Sequence, residues 1–240
     1  MAPVILQLSD ICYRYPGGPM ILNHLDFHLH AGDRVGLMAP NGSGKTTLFH
    51  IIMGLLKPVS GTIEAFGQTL AAEADFVQVR RRIGLLFQDA DDQLFSPTVL
   101  EDVAFGPLNL GKTREEAISI SEKTLSFLGL EGFSDRVTHK LSGGEKRLVA
   151  LATVLSMEPE VLLLDEPSSG LDTRTRETLI HVLGRLDLSL VIISHEFDFL
   201  SRTATQFHTM AEGRIIPDQE IHIHTHTHAH LMGQQPHEHE

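Results

Sequence analysis

Eight consecutive residues, Ala39-Pro40-Asn41-Gly42-Ser43-Gly44-Lys45-Thr46, have the composition of a phosphate cradle. Gly42 and Gly44 let the backbone turn its N–H groups inward around phosphate oxygens. A helix starting near Lys45 points the positive end of its dipole at the same anion. Lys45 adds a point charge for the β- and γ-phosphates of a nucleotide, and the Thr46 hydroxyl can ligate Mg2+. Pro40, Asn41, Ser43 and Thr47 complete the stretch expected to face the nucleotide. The spacing is that of a nucleotide phosphate loop, with Ala39 where a glycine is usual. Alanine fits there if its φ is negative.

A second constellation lies far along the chain. The apolar run 161–164 ends in Asp165-Glu166. An aspartate at the end of such a strand can hold the Mg2+ shell, and the following glutamate can polarise an attacking water as general base. The bland alternative is two solvated acids in a turn made by Pro167. The presence of the phosphate loop favours the chemical reading.

These residues need particular elements to position them. Arg34–Met38 reads as a buried strand leading into the loop, and the helix after it is expected to run through Leu56. Ahead of that, residues 4–8 form a short apolar run, and residues 25–30 alternate with period two like a half-buried strand. Pro16-Gly17-Gly18-Pro19 supplies a turn between them. Residues 83–87 read as a strand after the basic triplet Arg80-Arg81-Arg82. Residues 98–130 read as helical, with Thr113 and Glu116 forming a capping box. Residues 142–157 and 173–186 are expected to be helices, and 161–164 and 190–193 buried parallel strands. The order is a β-rich start, an α/β core with a helical insert, and an α/β finish.

Composition narrows the function classes. The 240 residues, 42% hydrophobic and 21% charged, suit one large α/β domain or two small ones and are enough to bury a core. The single cysteine, Cys12, excludes an internal disulfide and fits a reducing compartment. No signal peptide is expected at the start. Apolar runs such as 49–56 fall far short of the ~20 residues a membrane-crossing helix needs. The formal net charge of −12 disfavours nucleic acid as the main partner.

Leu141-Ser142-Gly143-Gly144-Glu145, shortly before the acidic pair, resembles the signature of ABC-transporter ATPases. The similarity spans roughly residues 4–216. Tyr15 is similar to the aromatic residue that stacks on adenine in that family, and Gln88, after the strand 83–87, to its Q-loop glutamine. Ser169-Gly170-Leu171-Asp172 resembles the family's D-loop, and His195 its switch histidine. The segment 87–95, with Asp92-Gln93-Leu94-Phe95, and Ala104-Phe105-Gly106-Pro107 are similar to the ATPase component of energy-coupling factor importers of vitamins and of cobalt or nickel. The resemblance implies a P-loop domain over residues 1–216. Such a domain has a RecA-like α/β core, an N-terminal antiparallel β subdomain, and a helical subdomain at about 90–157 that carries the signature. It implies ATP and Mg2+ as cofactors. Glu166, His195, Lys45 and Gln88 are then catalytic, and Thr46, Gln88 and Asp165 hold Mg2+. It also implies a head-to-tail dimer, with a second copy or a paralogous ATPase, in which Ser142, Gly143 and Gly144 meet the partner's ATP. Integral membrane subunits would be the further partners, at the cytoplasmic face of the membrane. Three positions depart from the family pattern: Ala39, Glu145 in place of glutamine, and Leu148 where arginine is common, with Arg147 one position earlier.

The segment 217–240 differs from the rest. It holds seven of the chain's 15 histidines, and it is expected to be a flexible tail. His222, His224, His226, His228 and His230 occupy alternate positions and share one side if extended. Imidazole suits Ni2+ or Co2+, so a metal importer is favoured over a vitamin importer. A solvated tail without a dedicated ligand is the bland alternative. A soluble ABC ATPase acting on DNA or ribosomes, or a metal-storage protein with a vestigial ATPase site, are the rival classes. The soluble class usually carries tandem domains, coiled-coil insertions or basic arms, which this sequence does not show, and the intact Lys45, Asp165, Glu166 and His195 argue against a vestigial site.

Overall fold

The structure, a computed structural model, describes residues 2–40 and 42–217. Strand β1 (Val4–Arg14) pairs antiparallel with β2 (Met20–His30), and the Pro16–Pro19 turn joins them as expected. β3 (Arg34–Met38) runs into the phosphate loop and α1 (Lys45–Ile52). β4 (Ser60–Ala65), β5 (Gln68–Thr69), α2 (Glu73–Arg82) and β6 (Ile83–Leu86) follow. The helical insert contains α3 (Val99–Asn109), α4 (Arg114–Phe127) and α5 (Gly143–Leu155). The chain closes its core with β7 (Val161–Asp165), α6 (Thr173–Arg185), β8 (Ser189–Ser194), α7 (Phe197–Thr203), β9 (Gln206–Ala211) and β10 (Arg214–Pro217).

Two sheets result. The first is antiparallel, in the order β2-β1-β4-β5. The second has six strands, β10-β9-β3-β8-β7-β6, parallel except for the β9–β10 edge. Strands 3, 7 and 8 are buried on both faces, which explains their unbroken apolar runs. Val161 and Leu163 pack toward α1 and the antiparallel sheet, whereas Leu162 and Leu164 pack toward α5 and α6. The period of two thus splits one strand between two cores. This is the expected RecA-like core with an N-terminal antiparallel layer and a helical layer.

Several boundaries differ from the sequence reading. Helix α1 stops at Ile52 rather than Leu56, because Gly54 takes φ 69 and a Schellman pair forms: Leu55 N–H donates to His50 O and Gly54 N–H to Ile51 O. Both β1 and β2 are longer than expected. Register shifts near Asp10 and His24, both at positive φ, break the alternation that would have revealed their length. Helix α2 buries only Val79, so its apolar period is too weak to read. The stretch 98–130 divides into two helices, each opened by a Thr–Glu capping box: Thr98 with Glu101, and Thr113 with Glu116. The last strand ends at Pro217, one residue past the expected edge of the domain.

Candidate nucleotide site

The phosphate loop joins β3 to α1. Gly42 has φ 81 and Gly44 φ 96, conformations that favour glycine. A Cβ on Gly44 would also come within 2.9 Å of Ile21 and Leu22 on β2. Ala39 is 3% exposed and is not one of the residues with positive φ, so alanine is accommodated there. Pro40 is exposed and Ser43 half-buried, with no hydrogen-bond partner for the buried Ser43 Oγ. Asn41 lies outside the described residues.

The loop and the two acids meet although they are far apart in the chain. Parallel strands β3, β8 and β7 are neighbours, so their carboxyl ends emerge side by side. Lys45 Nζ donates to Glu166 Oε1 at 2.6 Å and to Ala39 O at 3.5 Å. Thr46 Oγ1 donates to Asp165 Oδ2 at 2.6 Å. His195 Nδ1 lies 2.8 Å from Glu166 Oε2, while most of its ring faces solvent. Glu166 itself sits at φ 48, in the left-handed region, and its N–H donates to Ile193 O. That conformation is uncommon for a non-glycine residue, and it turns the carboxylate back toward the loop.

Burial raises the Asp165 carboxyl above the ordinary carboxylate range, opposed by the Thr46 hydroxyl and the Lys45 charge. Its Oδ1 is buried and has no hydrogen-bond partner. An orphaned carboxylate oxygen beside a threonine hydroxyl is a hard-oxygen pair that suits Mg2+, so these residues fit that ion. A cleft of about 530 Å3 opens at this point, lined by Thr46, His50, Gln88, Asp89, Asp165 and Ser169 among others. Gln88 therefore lines the same cleft as Thr46 and Asp165. Tyr15 is exposed, edge-on to Tyr13, with its hydroxyl 3.3 Å from Thr47 Oγ1 at the start of α1. It stands at the rim of the phosphate loop.

Ser142, Gly143 and Gly144 are placed elsewhere, and none of them lines that cleft. Ser142 caps α5: its Oγ accepts from Glu145 N–H at 3.3 Å, and Glu145 Oε2 accepts from Ser142 N–H at 2.8 Å. The second Glu145 oxygen takes Arg136 at 2.9 Å. The Ser142 amide, with help from Arg136, holds this carboxyl below its usual range. Glu145 thus closes the capping box, as the family's glutamine also could, and adds an ion pair. The Gly143 and Gly144 amides point out of the first turn of α5, an anion-binding arrangement. Asp172 caps α6, accepting from Thr175 N–H at 3.0 Å and from its hydroxyl at 2.7 Å.

Arg147 was legible only as a shifted arginine. Its guanidinium is buried and donates to Phe87 O and Gln88 O, while Leu148 packs in the core. Nothing in the motif alone points to that contact. His50, which lines the cleft, was also missed; one titratable residue on an apolar helix carries little signal. The alternating histidines His222 to His230 lie outside the described residues. Among the described residues, no three His, Cys, Asp or Glu side chains form a group that could hold a metal ion.

The ABC transporter family model matches residues 22–169. A Nitratidesulfovibrio vulgaris protein provisionally named as an ABC transporter ATP-binding protein is 57% identical over 210 residues, covering 87% of this chain and 77% of that one. The energy-coupling factor transporter ATP-binding protein EcfA of Methanothermobacter thermautotrophicus is 39% identical over 218 residues, 89% of this chain and 70% of that one. The structure of CbiO1 from Clostridium perfringens, part of the ABC transporter complex CbiONQ, is similar with a TM-score of 0.80 at 35% identity, over 89% of this chain and 87% of that one. A dimeric bacterial ABC transporter cassette is similar with a TM-score of 0.79 at 26% identity, over 88% and 96%. The loop, the acid pair and the capped signature helix therefore stand in a shared framework, and the chain belongs to the ATP-hydrolysing subunits of the ABC transporter family.

Proposed function

We propose that this chain powers an energy-coupling factor importer that takes up a transition-metal ion, nickel or cobalt, through integral membrane subunits bound at the cytoplasmic face. The observation that carries the ATPase part is the convergence of Lys45, Thr46, Asp165, Glu166 and His195 at the carboxyl edge of the parallel sheet. Lys45 and the loop amides bind the β- and γ-phosphates, and Tyr15 stacks on the adenine. Glu166 accepts the proton of the attacking water, with His195 holding both Glu166 and the γ-phosphate side in register. Thr46, Asp165 and Gln88 would hold Mg2+, which neutralises charge on the phosphate oxygens when bound.

The placement of the signature supports a head-to-tail dimer. Its amides form an anion site away from this chain's own cleft, so they serve the ATP of a second copy or of a paralogous ATPase. Likeness to EcfA supports the importer class. The alternating histidines of the sequence favour a metal cargo over a vitamin. Reconstitution with the membrane subunits in proteoliposomes tests the reading. ATP-dependent uptake of Ni2+ or Co2+ is expected. Uptake of a vitamin instead, or no coupling to any membrane subunit, would overturn the cargo or the importer assignment respectively.

A further inference from the structure

We propose that Arg147 is a positioning residue that, from the signature helix α5, holds the backbone of Gln88 in place. It thereby ties this chain's own cleft to the helix that begins at Ser142. The inference rests on the assignment of Gln88 made above.

The contact is specific. One guanidinium nitrogen donates to Phe87 O at 2.8 Å and the other to Gln88 O at 2.6 Å. A planar fork spans two consecutive carbonyls in a way that an ammonium cannot. Arg147 is 7% exposed, and burial disfavours its charge, partly offset by Asp89 and Asp165. A buried cation is a poor source of stability compared with a well-packed apolar residue. Its value must therefore lie in what it orients.

Two other links join the same pieces. Gln93 Nε2 donates to Ala150 O and Thr153 Oγ1, and its Oε1 accepts from Phe87 N–H. Lys146 Nζ pairs with Asp91. Residues 87–93 thus travel with α5, and Arg147 is the link that ends on Gln88 itself. Thr46 and Asp165 belong instead to α1 and β7. Any shift of Ser142 as it closes on the partner's nucleotide moves Gln88 relative to Thr46 and Asp165. Arg147 makes one site report on the other.

The test uses the full chain in its transporter complex, with Arg147→Met and Arg147→Lys. The Gln93 and Lys146 links remain, so the fold should survive; thermal melting checks this. With Met, kcat is expected to fall roughly 10- to 100-fold while KM changes little, as misplacement of a contact by about 1 Å does. Lysine keeps the charge and one donor and should recover part of the rate. If Met fails to fold, the Lys variant carries the same comparison. In a Gln88→Ala background the Arg147 substitution should add almost nothing, since both act through one group. An unchanged kcat in Arg147→Met overturns the proposal. So do losses that multiply in the double variant, provided Gln88→Ala is itself impaired. If Gln88→Ala alone hydrolyses ATP at the full rate, the assignment of Gln88 falls first and the proposal falls with it.

Discussion

Lys45 Nζ lies 2.6 Å from Glu166 Oε1, and both side chains are almost closed to solvent. The cation proposed to meet phosphate is thus held by the carboxylate proposed to activate water. His195 takes the other Glu166 oxygen. On the proposed roles, an entering phosphate would take the place of Glu166 at Lys45, keeping that charge compensated and freeing Glu166 to act as the base.

Glu166→Gln should separate binding from turnover. The neutral isostere still fits but no longer competes for Lys45, so ATP affinity should be at least that of the unaltered chain. Turnover should fall by roughly 10²- to 10⁴-fold, the usual worth of a general base. A dimer should persist in ATP. Single-turnover kinetics with size-exclusion chromatography would show both, and near-normal hydrolysis would sink the assignment.

Lys45→Ala should harm two things at once. A charge-assisted contact to phosphate is lost, worth about 1.5–3 kcal/mol of ATP binding. The buried Glu166 also loses its cation, which should lower the melting temperature of the ligand-free chain. Adding Glu166→Gln should restore the melting temperature without restoring ATP affinity. If the double variant melts no higher than Lys45→Ala, the ion pair does not stabilise this site.

The pH dependence of Mg2+ binding follows from Asp165. Burial raises its pKa in the fold, so the ionised carboxylate is a cost to stability above that pKa. The cost vanishes as pH falls below the unfolded value, where the group is protonated in both states. Mg2+ offsets the cost by binding the ionised form. The thermal shift produced by Mg2+ should therefore shrink as pH falls from about 8 toward the carboxylate range. Asp165→Asn should abolish that shift while leaving the ligand-free chain no less stable at neutral pH. A Mg2+ shift that is constant with pH would rule out Asp165 as the ligand.

How much of this was readable beforehand depended on distance along the chain. The phosphate loop, the Asp165–Glu166 pair and the Ser142-Gly143-Gly144 signature are each carried by a few adjacent residues, so residue type and spacing suffice. Arg34–Met38 was bounded correctly because both its faces are apolar. The Lys45–Glu166 pair joins residues 121 apart, and no local pattern encodes it. The grip of Arg147 on Gln88 is non-local in the same way. The lengths of β1 and β2 were hidden by bulges at Asp10 and His24, and α2 by its exposure.

Ser142→Arg should leave nucleotide binding by the isolated chain intact but abolish dimer-dependent hydrolysis. The change removes the cap bond to Glu145 N–H as well, at about 1 kcal/mol of stability. Ser142→Asp distinguishes the two effects, since aspartate caps well yet repels phosphate. Both variants should be inactive, and only the arginine variant should melt lower. Full hydrolysis by a monomer would overturn the two-chain arrangement.

The last prediction concerns residues 218–240, which lie outside the described part of the structure. Strand β10 runs to Pro217, which pairs with His208 on β9, so the cut belongs after Pro217 rather than Ile216. Truncation there should keep ATP hydrolysis and remove Ni2+ or Co2+ binding, with His222, His224, His226, His228 and His230 as the ligands. Neutral imidazole is the binding form, so affinity in the full chain should fade below the ordinary His pKa of about 6.5. Among the described residues, His24, His28 and His30 on β2 do not form a group that could hold a metal ion. There His24 pairs with Asp10 and His30 with Asp33, and His28 stands edge-on to His30. Isothermal titration with each metal, before and after truncation, measures the binding. Binding that survives truncation would mean that His222 to His230 are not the ligands, and loss of ATPase activity would mean the removed residues support the nucleotide domain.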